Sequence, residues 1–196
     1  ISPDPQQTQR GMRQAVLDIR RGAAWIAARE EIDERQLGIS GISLGGLVAA
    51  LAASAEPRFQ KTCLVLTGGN LEKIIRESSE TEEIRRYWTG RAIRPEQIAQ
   101  WLGPIDPLTY APLLRGRRVL MLNARNDKVI PPACTHAFWQ AAGQPEIEWW
   151  DAGHYSAIWY LPKALSRMVA FFRPEPAAPA TPPASEPPRP AAIGSS

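Results

Sequence analysis

Gln36-Leu37-Gly38-Ile39-Ser40-Gly41 runs directly into Ile42-Ser43-Leu44-Gly45-Gly46, so that a short apolar segment ends on a G-x-S-x-G pattern. The first part reads as a buried strand. From Leu44 through Ser54 nearly every residue is small or aliphatic, the composition of a helix packed closely on most sides. A serine between two such elements sits on a sharp strand-to-helix turn, where its backbone is strained and side chains at the flanking glycine positions would collide with the neighbouring strand and helix. The turn also puts Ser43 at a helix start, where free N–H groups and the helix dipole favour developing negative charge. Leu44 N–H is then the natural first donor to an oxyanion. As a bare pattern G-x-S-x-G occurs by chance; the strand-turn-helix setting is what gives it meaning.

Upstream, from Thr8 to Glu31, Met12, Val16, Ile19, Ala23 and Ile26 recur at helical spacing among several arginines, predicting an amphipathic helix after a polar loop over Ile1–Gln7. Downstream, Lys61–Thr67, Arg117–Asn123 and Glu146–Trp150 read as strands, with helices over Ala133–Ala142 and Pro162–Phe172. Strand and helix alternate, which predicts an α/β fold with a mostly parallel sheet covered on both faces. The interval 70–112 is longer than a crossover needs and carries short helical patterns with Tyr87, Trp88 and Trp101. Insertions of that length are usually functional, so a helical lid over a pocket lined by those aromatics is expected, with packing onto the body as the plain alternative. One domain is expected over residues 1–173 and a disordered Pro/Ala-rich tail over 174–196.

Composition narrows the function classes. The 196 residues carry a formal charge of +3, but Lys and Arg alternate with Asp and Glu instead of clustering, which argues against a nucleic-acid partner. No apolar run reaches the ~18 residues of a membrane span. Cys63 and Cys134 have no metal-like spacing to another Cys or His and read as buried free thiols, which suits a cytoplasmic setting. No metal and no organic cofactor is expected.

A serine needs a base. The chain has two histidines: His154, in Asp151-Ala152-Gly153-His154-Tyr155 directly after the last strand, and His136, inside a helical pattern. His154 can reach over the carboxyl end of the sheet, and His136 reads as a packing residue. For the carboxylate that orients the imidazole, Asp127 follows the third strand in Asn126-Asp127-Lys128-Val129-Ile130-Pro131. Asp106, before Pro107, reads as a turn or helix stop, and Asp151 as a strand-end hydrogen bonder.

The nucleophile region Ile32–Gly46, the loop Asn126–Pro131 and Gly153-His154-Tyr155 together resemble the α/β-hydrolase branch of prolyl-oligopeptidase-like, dienelactone-hydrolase-like and acetyl-xylan-esterase-like proteins. The resemblance covers about Gln9 to Phe172 and implies that Ser43 is the acylated nucleophile, His154 the general base and acid, and Asp127 its partner. It implies a carboxylic ester as the small-molecule substrate, with a prolyl-oligopeptidase-type peptidase or a catalytically silent binding module as alternatives. Family members carry several strands before the nucleophile and a loop that supplies the second oxyanion donor. Only one helix precedes the first strand here, so the chain is expected to be the C-terminal half of such a hydrolase, its second donor lying upstream. Oligomeric state is not legible in the sequence.

Overall fold

The computed structural model describes residues 1–174. The sequence-based reading of a disordered tail falls almost entirely outside them. Four strands, β1 (Gly38–Ile42), β2 (Lys61–Val65), β3 (Arg118–Ala124) and β4 (Glu146–Trp150), form one sheet in the order β1-β2-β3-β4. All three pairings are parallel, with Ile42 beside Val65, Val65 beside Leu122, and Ala124 beside Trp150. Every strand therefore delivers its carboxyl end to the same rim of the sheet.

Alternation along the strands separates two cores, as a period of two requires. Leu64, Val119 and Met121 face Ala49, Ala50 and Ala53 of α2 (Leu44–Ala55) and Phe138 of α7 (Pro132–Ala141). Cys63, Val65, Leu120 and Leu122 point the other way, toward Ala164 and Phe171 of α8 (Leu161–Phe172). Both faces are covered. Burial pushes the Cys63 thiol up to about 12 and that of Cys134 up to about 11, and both cysteines are unpaired. β1 departs from the expectation of a buried strand: among the described residues it is a sheet edge, and Ile42 is 51% exposed.

The first helix, α1 (Pro5–Ala27), starts three residues before the apolar period does. Asp4 accepts a hydrogen bond from Gln6 N at 2.9 Å and Pro5 occupies the first helical position, a start signal that needs no apolar residue. The long interval folds into α3 (Leu71–Glu77), α4 (Glu82–Thr89), α5 (Pro95–Leu102), α6 (Pro107–Tyr110) and two 3-10 turns. Asp106, read as a turn or helix stop, closes the 3-10 turn Gly103–Ile105 and is also the N-cap of α6, accepting from Leu108 N at 2.9 Å. Among the described residues no helix is long and apolar enough to cross a membrane.

Candidate active site

Ser43 follows the last residue of β1 and precedes the first of α2, with φ 54° and ψ −120°. A non-glycine residue in that region is strained and persists only where its surroundings hold it. Here Ser43 N donates to Val65 O at 2.9 Å, and its carbonyl accepts from Leu47 N at 3.1 Å. The turn brings helix and strand too close for side chains at two glycines. A Cβ on Gly41 would run into the Gly45 carbonyl, and one on Gly46 into Thr67 Oγ1. Gly45, the last glycine of the pattern, has open space at that position. The steric requirement thus falls on Gly41 and Gly46, and the residue inside the motif is freer than its neighbour. As the first residues of α2, Leu44 and those after it have N–H groups with no partner inside the helix.

The loops after β3 and β4 are fastened to each other. Arg125 N donates to Trp150 O and Asn126 N to Ala152 O, both at 2.9 Å, while Asn126 Nδ2 donates to Asp151 Oδ1 at 3.0 Å. Asp151 is thus the strand-end hydrogen bonder that its position suggests. This fastening puts Asp127 and His154 side by side. Asp127 is 5% exposed; its Oδ1 accepts from Val129 N and Ile130 N, each at 2.8 Å, and its Oδ2 lies 2.7 Å from His154 Nδ1. The other ring nitrogen, Nε2, lies 2.9 Å from Ser43 Oγ. Serine, imidazole and carboxylate therefore form one continuous hydrogen-bonded line. His136 is elsewhere, its ring stacked on Trp149 with centroids 4.7 Å apart.

Ser43 and His154 open onto a cavity of ≈590 Å³ whose lining is mostly apolar and includes Leu66, Trp150, Leu165 and Met168. A second apolar cavity, ≈310 Å³, lies between α1, α2 and the segment around Ile105, but neither Ser43 nor His154 lines it. The chemistry assigns the site to the larger one. Tyr87, Trp88 and Trp101, expected as pocket residues, do not line it. Trp88 is buried with Leu47, Leu51 and Ile84, and its Nε1 donates to Pro3 O at 2.8 Å. Tyr87 stacks against the Arg91 guanidinium, and the carbonyl of Trp101 accepts from Gln9 Nε2. The apolar face of α4 turns inward because that is where it buries area, so its aromatics serve the core. The interval reaches the cavity through Glu80 instead, and Tyr155 joins it from the histidine loop.

Two of these contributors left no sequence signal. Glu80 is one acidic residue among many in its segment, and Leu66, with φ 50°, carries a side chain that does not favour a left-handed backbone. Tyr155 could have been suspected from its place beside His154. Among the described residues no group of three or more His, Cys, Asp or Glu side chains is arranged to hold a metal ion.

Comparison with known proteins assigns the chain to a family and a fold. The sequence matches acetyl xylan esterase (AXE1) over residues 6–162. The chain belongs to the acetyl xylan esterase family. Its fold resembles the acetyl xylan esterase of a Paenibacillus species, with TM-score 0.71 and 25% identity over 81% of this chain and 51% of that one. The corresponding enzyme from a Thermoanaerobacterium species gives TM-score 0.66 at 25% identity, over 81% and 52%. An uncharacterized protein of Mycobacterium tuberculosis is 30% identical over 146 residues, 74% of this chain and 34% of its own length. The chain thus spans about half the length of these esterases and about a third of the mycobacterial relative. As a family member it has the α/β-hydrolase fold, represented here by a four-stranded parallel sheet and its helices.

Proposed function

We propose that this chain carries the catalytic serine, histidine and aspartate of a carboxylic-ester hydrolase. The observation that carries the reading is the unbroken line from Ser43 Oγ through His154 to Asp127, 2.9 and 2.7 Å long, at the mouth of an apolar cavity. With the Nδ1 proton directed at Asp127, Nε2 is left to accept the serine proton. Ser43 Oγ attacks the ester carbonyl as Nε2 takes that proton, and the oxyanion that forms is met by Leu44 N–H. Collapse breaks the C–O bond, and the alcohol leaves with the proton from His154. A water molecule then gives its proton to His154 and its oxygen to the acyl carbon. The carboxylic acid departs and Ser43 regains its hydrogen. The chain supplies one oxyanion donor, and we assign the second to a segment outside it. Two buried thiols fit a reducing compartment, so the cytoplasm is the setting we assign.

Labelling with a fluorophosphonate tests the reading directly. Covalent modification should occur at Ser43, vanish in Ser43→Ala and fall at least about a hundredfold in rate in His154→Ala, the scale of general-base assistance. Modification that is absent from folded, full-length protein, or that is indifferent to His154, would leave a hydrolase fold used for binding.

A further inference from the structure

Between the Ser43 turn and the Asp127 loop lies a buried polar cluster that takes no direct part in the reaction above. Asn123, the second-to-last residue of β3, is 1% exposed and continues the face of Val119 and Met121, as alternation along a strand requires. Thr67 and Thr135 are buried beside it. Asn123 Nδ2 donates to Thr67 O at 2.8 Å and to Thr135 Oγ1 at 3.3 Å, and Thr135 Oγ1 donates to Thr67 O at 2.9 Å. The Thr67 carbonyl is thus held from β3 and from α7 at once. Asn123 Oδ1 has no partner among the described residues. An unpaired buried acceptor lowers stability, and an apolar side chain like those of the neighbouring Leu120, Met121 and Leu122 would avoid it. Stability alone therefore does not account for an amide at this position.

Its place in the sheet supplies a reason. The ladder between β2 and β3 ends where Leu66 N donates to Leu122 O at 2.8 Å, because Leu66 turns away with φ 50°. Beyond that point a side chain takes over, Asn123 Nδ2 bonding to Thr67 O. The peptide it holds is joined directly to the nucleophile turn. Thr67 Oγ1 donates at 3.0 Å to Val65 O, the carbonyl that also accepts from Ser43 N at 2.9 Å. The same hydroxyl lies against Gly46, so close that a Cβ there would overlap it. On the other side, Asn123 and Thr135 flank the Asp127 loop, one at the end of β3 and one in the first turn of α7. Serine turn and carboxylate loop are thereby fastened through the Thr67 peptide, independently of the His154 bridge. Misplacing reacting groups by about 1 Å lowers a rate by about a hundredfold, so such a fastening bears on the reactivity of Ser43.

We propose, resting on the ester-hydrolase reading above, that Asn123 is a positioning residue: it fixes the Thr67 peptide and so keeps Ser43 Oγ in line with His154 and Asp127. The test compares Asn123→Ala, Thr67→Val and Thr67→Ser in the full-length protein. It reads the fluorophosphonate labelling rate of Ser43, kcat and KM for p-nitrophenyl acetate, and the urea midpoint. Asn123→Ala removes the unpaired acceptor together with the donor and leaves Thr67 O its bond from Thr135, so the fold keeps its other contacts. Thr67→Val preserves the shape packed on Gly46 and deletes only the hydroxyl, whereas Thr67→Ser retains it. We expect labelling rate and kcat to fall about tenfold or more in Asn123→Ala and in Thr67→Val, with KM within about threefold of the parent. Thr67→Ser should recover most of that loss. The double variant Asn123→Ala/Thr67→Val should be little slower than either single one, because both act through one peptide. A folded Asn123→Ala protein slowed by less than about tenfold would overturn the proposal whatever its urea midpoint, since Asn123 would then serve stability alone. A loss carried by KM instead of kcat would overturn it as well. Should Asn123→Ala not fold, Thr67→Val decides, and parent-like rates in that variant overturn the proposal. Failure of the underlying reading looks different: the parent protein itself neither labels at Ser43 nor turns over the ester.

Discussion

Asp127 and Asp106 are both buried, 5% and 9% exposed, and both gather backbone N–H groups at the start of a turn, but they divide their oxygens differently. Asp127 gives Oδ1 to two amides and keeps Oδ2 for His154. Asp106 gives Oδ1 to Asn70 N and Leu108 N, both at 2.9 Å, and Oδ2 to Leu71 N at 2.6 Å. Both of its oxygens are thus engaged by backbone amides. Burial pushes the Asp106 carboxyl up, against the pull of its three amides. A buried carboxylate can orient an imidazole only if the backbone leaves one of its oxygens free, and that separates a site residue from a structural staple better than burial does.

The same substitution at the two positions should break in opposite ways. In Asp127→Asn the amide oxygen can serve Val129 and Ile130 while the NH₂ turns to Nδ1. That forces the proton onto Nε2, which can then no longer accept from Ser43. We expect kcat for ester hydrolysis to fall by about 10⁴-fold, with little change in urea unfolding. A fall below about tenfold would mean that Asp127 does not set the tautomer. In Asp106→Asn the NH₂ confronts the Leu71 N–H, a donor facing a donor. Unfolding free energy should drop by about 2 kcal/mol, while the fluorophosphonate labelling rate of the folded protein stays within about threefold of the parent. Loss of labelling without loss of stability would reverse the assignment of the two aspartates.

Glu56 sharpens the contrast with a smaller effect. It is 2% exposed and bonded mainly to guanidinium groups, Arg58 through Nε and an NH₂ nitrogen at 2.8 Å each and Arg20 at 3.5 Å. Arg58 draws its carboxyl from 4.5 down to about 2. Because the folded value lies below the unfolded one, its stabilisation is complete above pH 4.5 and is lost as the pH falls through about 2. Both arginines are partly exposed, so the amount is discounted to about 1–2 kcal/mol. Urea unfolding between pH 6 and pH 2 should show that loss in the parent and a flatter dependence in Glu56→Gln, and equal slopes would remove Glu56 from the account.

How far the molecule could be read in advance differs from element to element. β4 lies where its β-rich residues put it, and α2 follows Ser43 because an unbroken run of Ala, Gly and Leu has few alternatives to a tightly packed helix. The turn at Ser43 and the strand-end loops that carry Asp127 and His154 are likewise local facts, each written within about ten residues. α4 shows the opposite case. Its helical pattern was visible, but whether Trp88 faced a substrate or the core depended on α1 and α2 offering Met12, Leu47 and Leu51 to pack against. The role of Asp106 was similarly hidden, because two of its three donors lie 35 and 36 residues away.

The sequence by itself therefore determined the parallel α/β architecture and the strained serine turn, because strand and helix periods and glycine-dependent turns are short-range properties. Tertiary structure alone decided that Gly46 rather than Gly45 joins Gly41 as a glycine the turn requires, and that Glu80 and Tyr155 line the same cavity as Ser43. Those outcomes depend on how closely separate elements approach, and close approach is set by the packing of the whole chain, which no local pattern encodes.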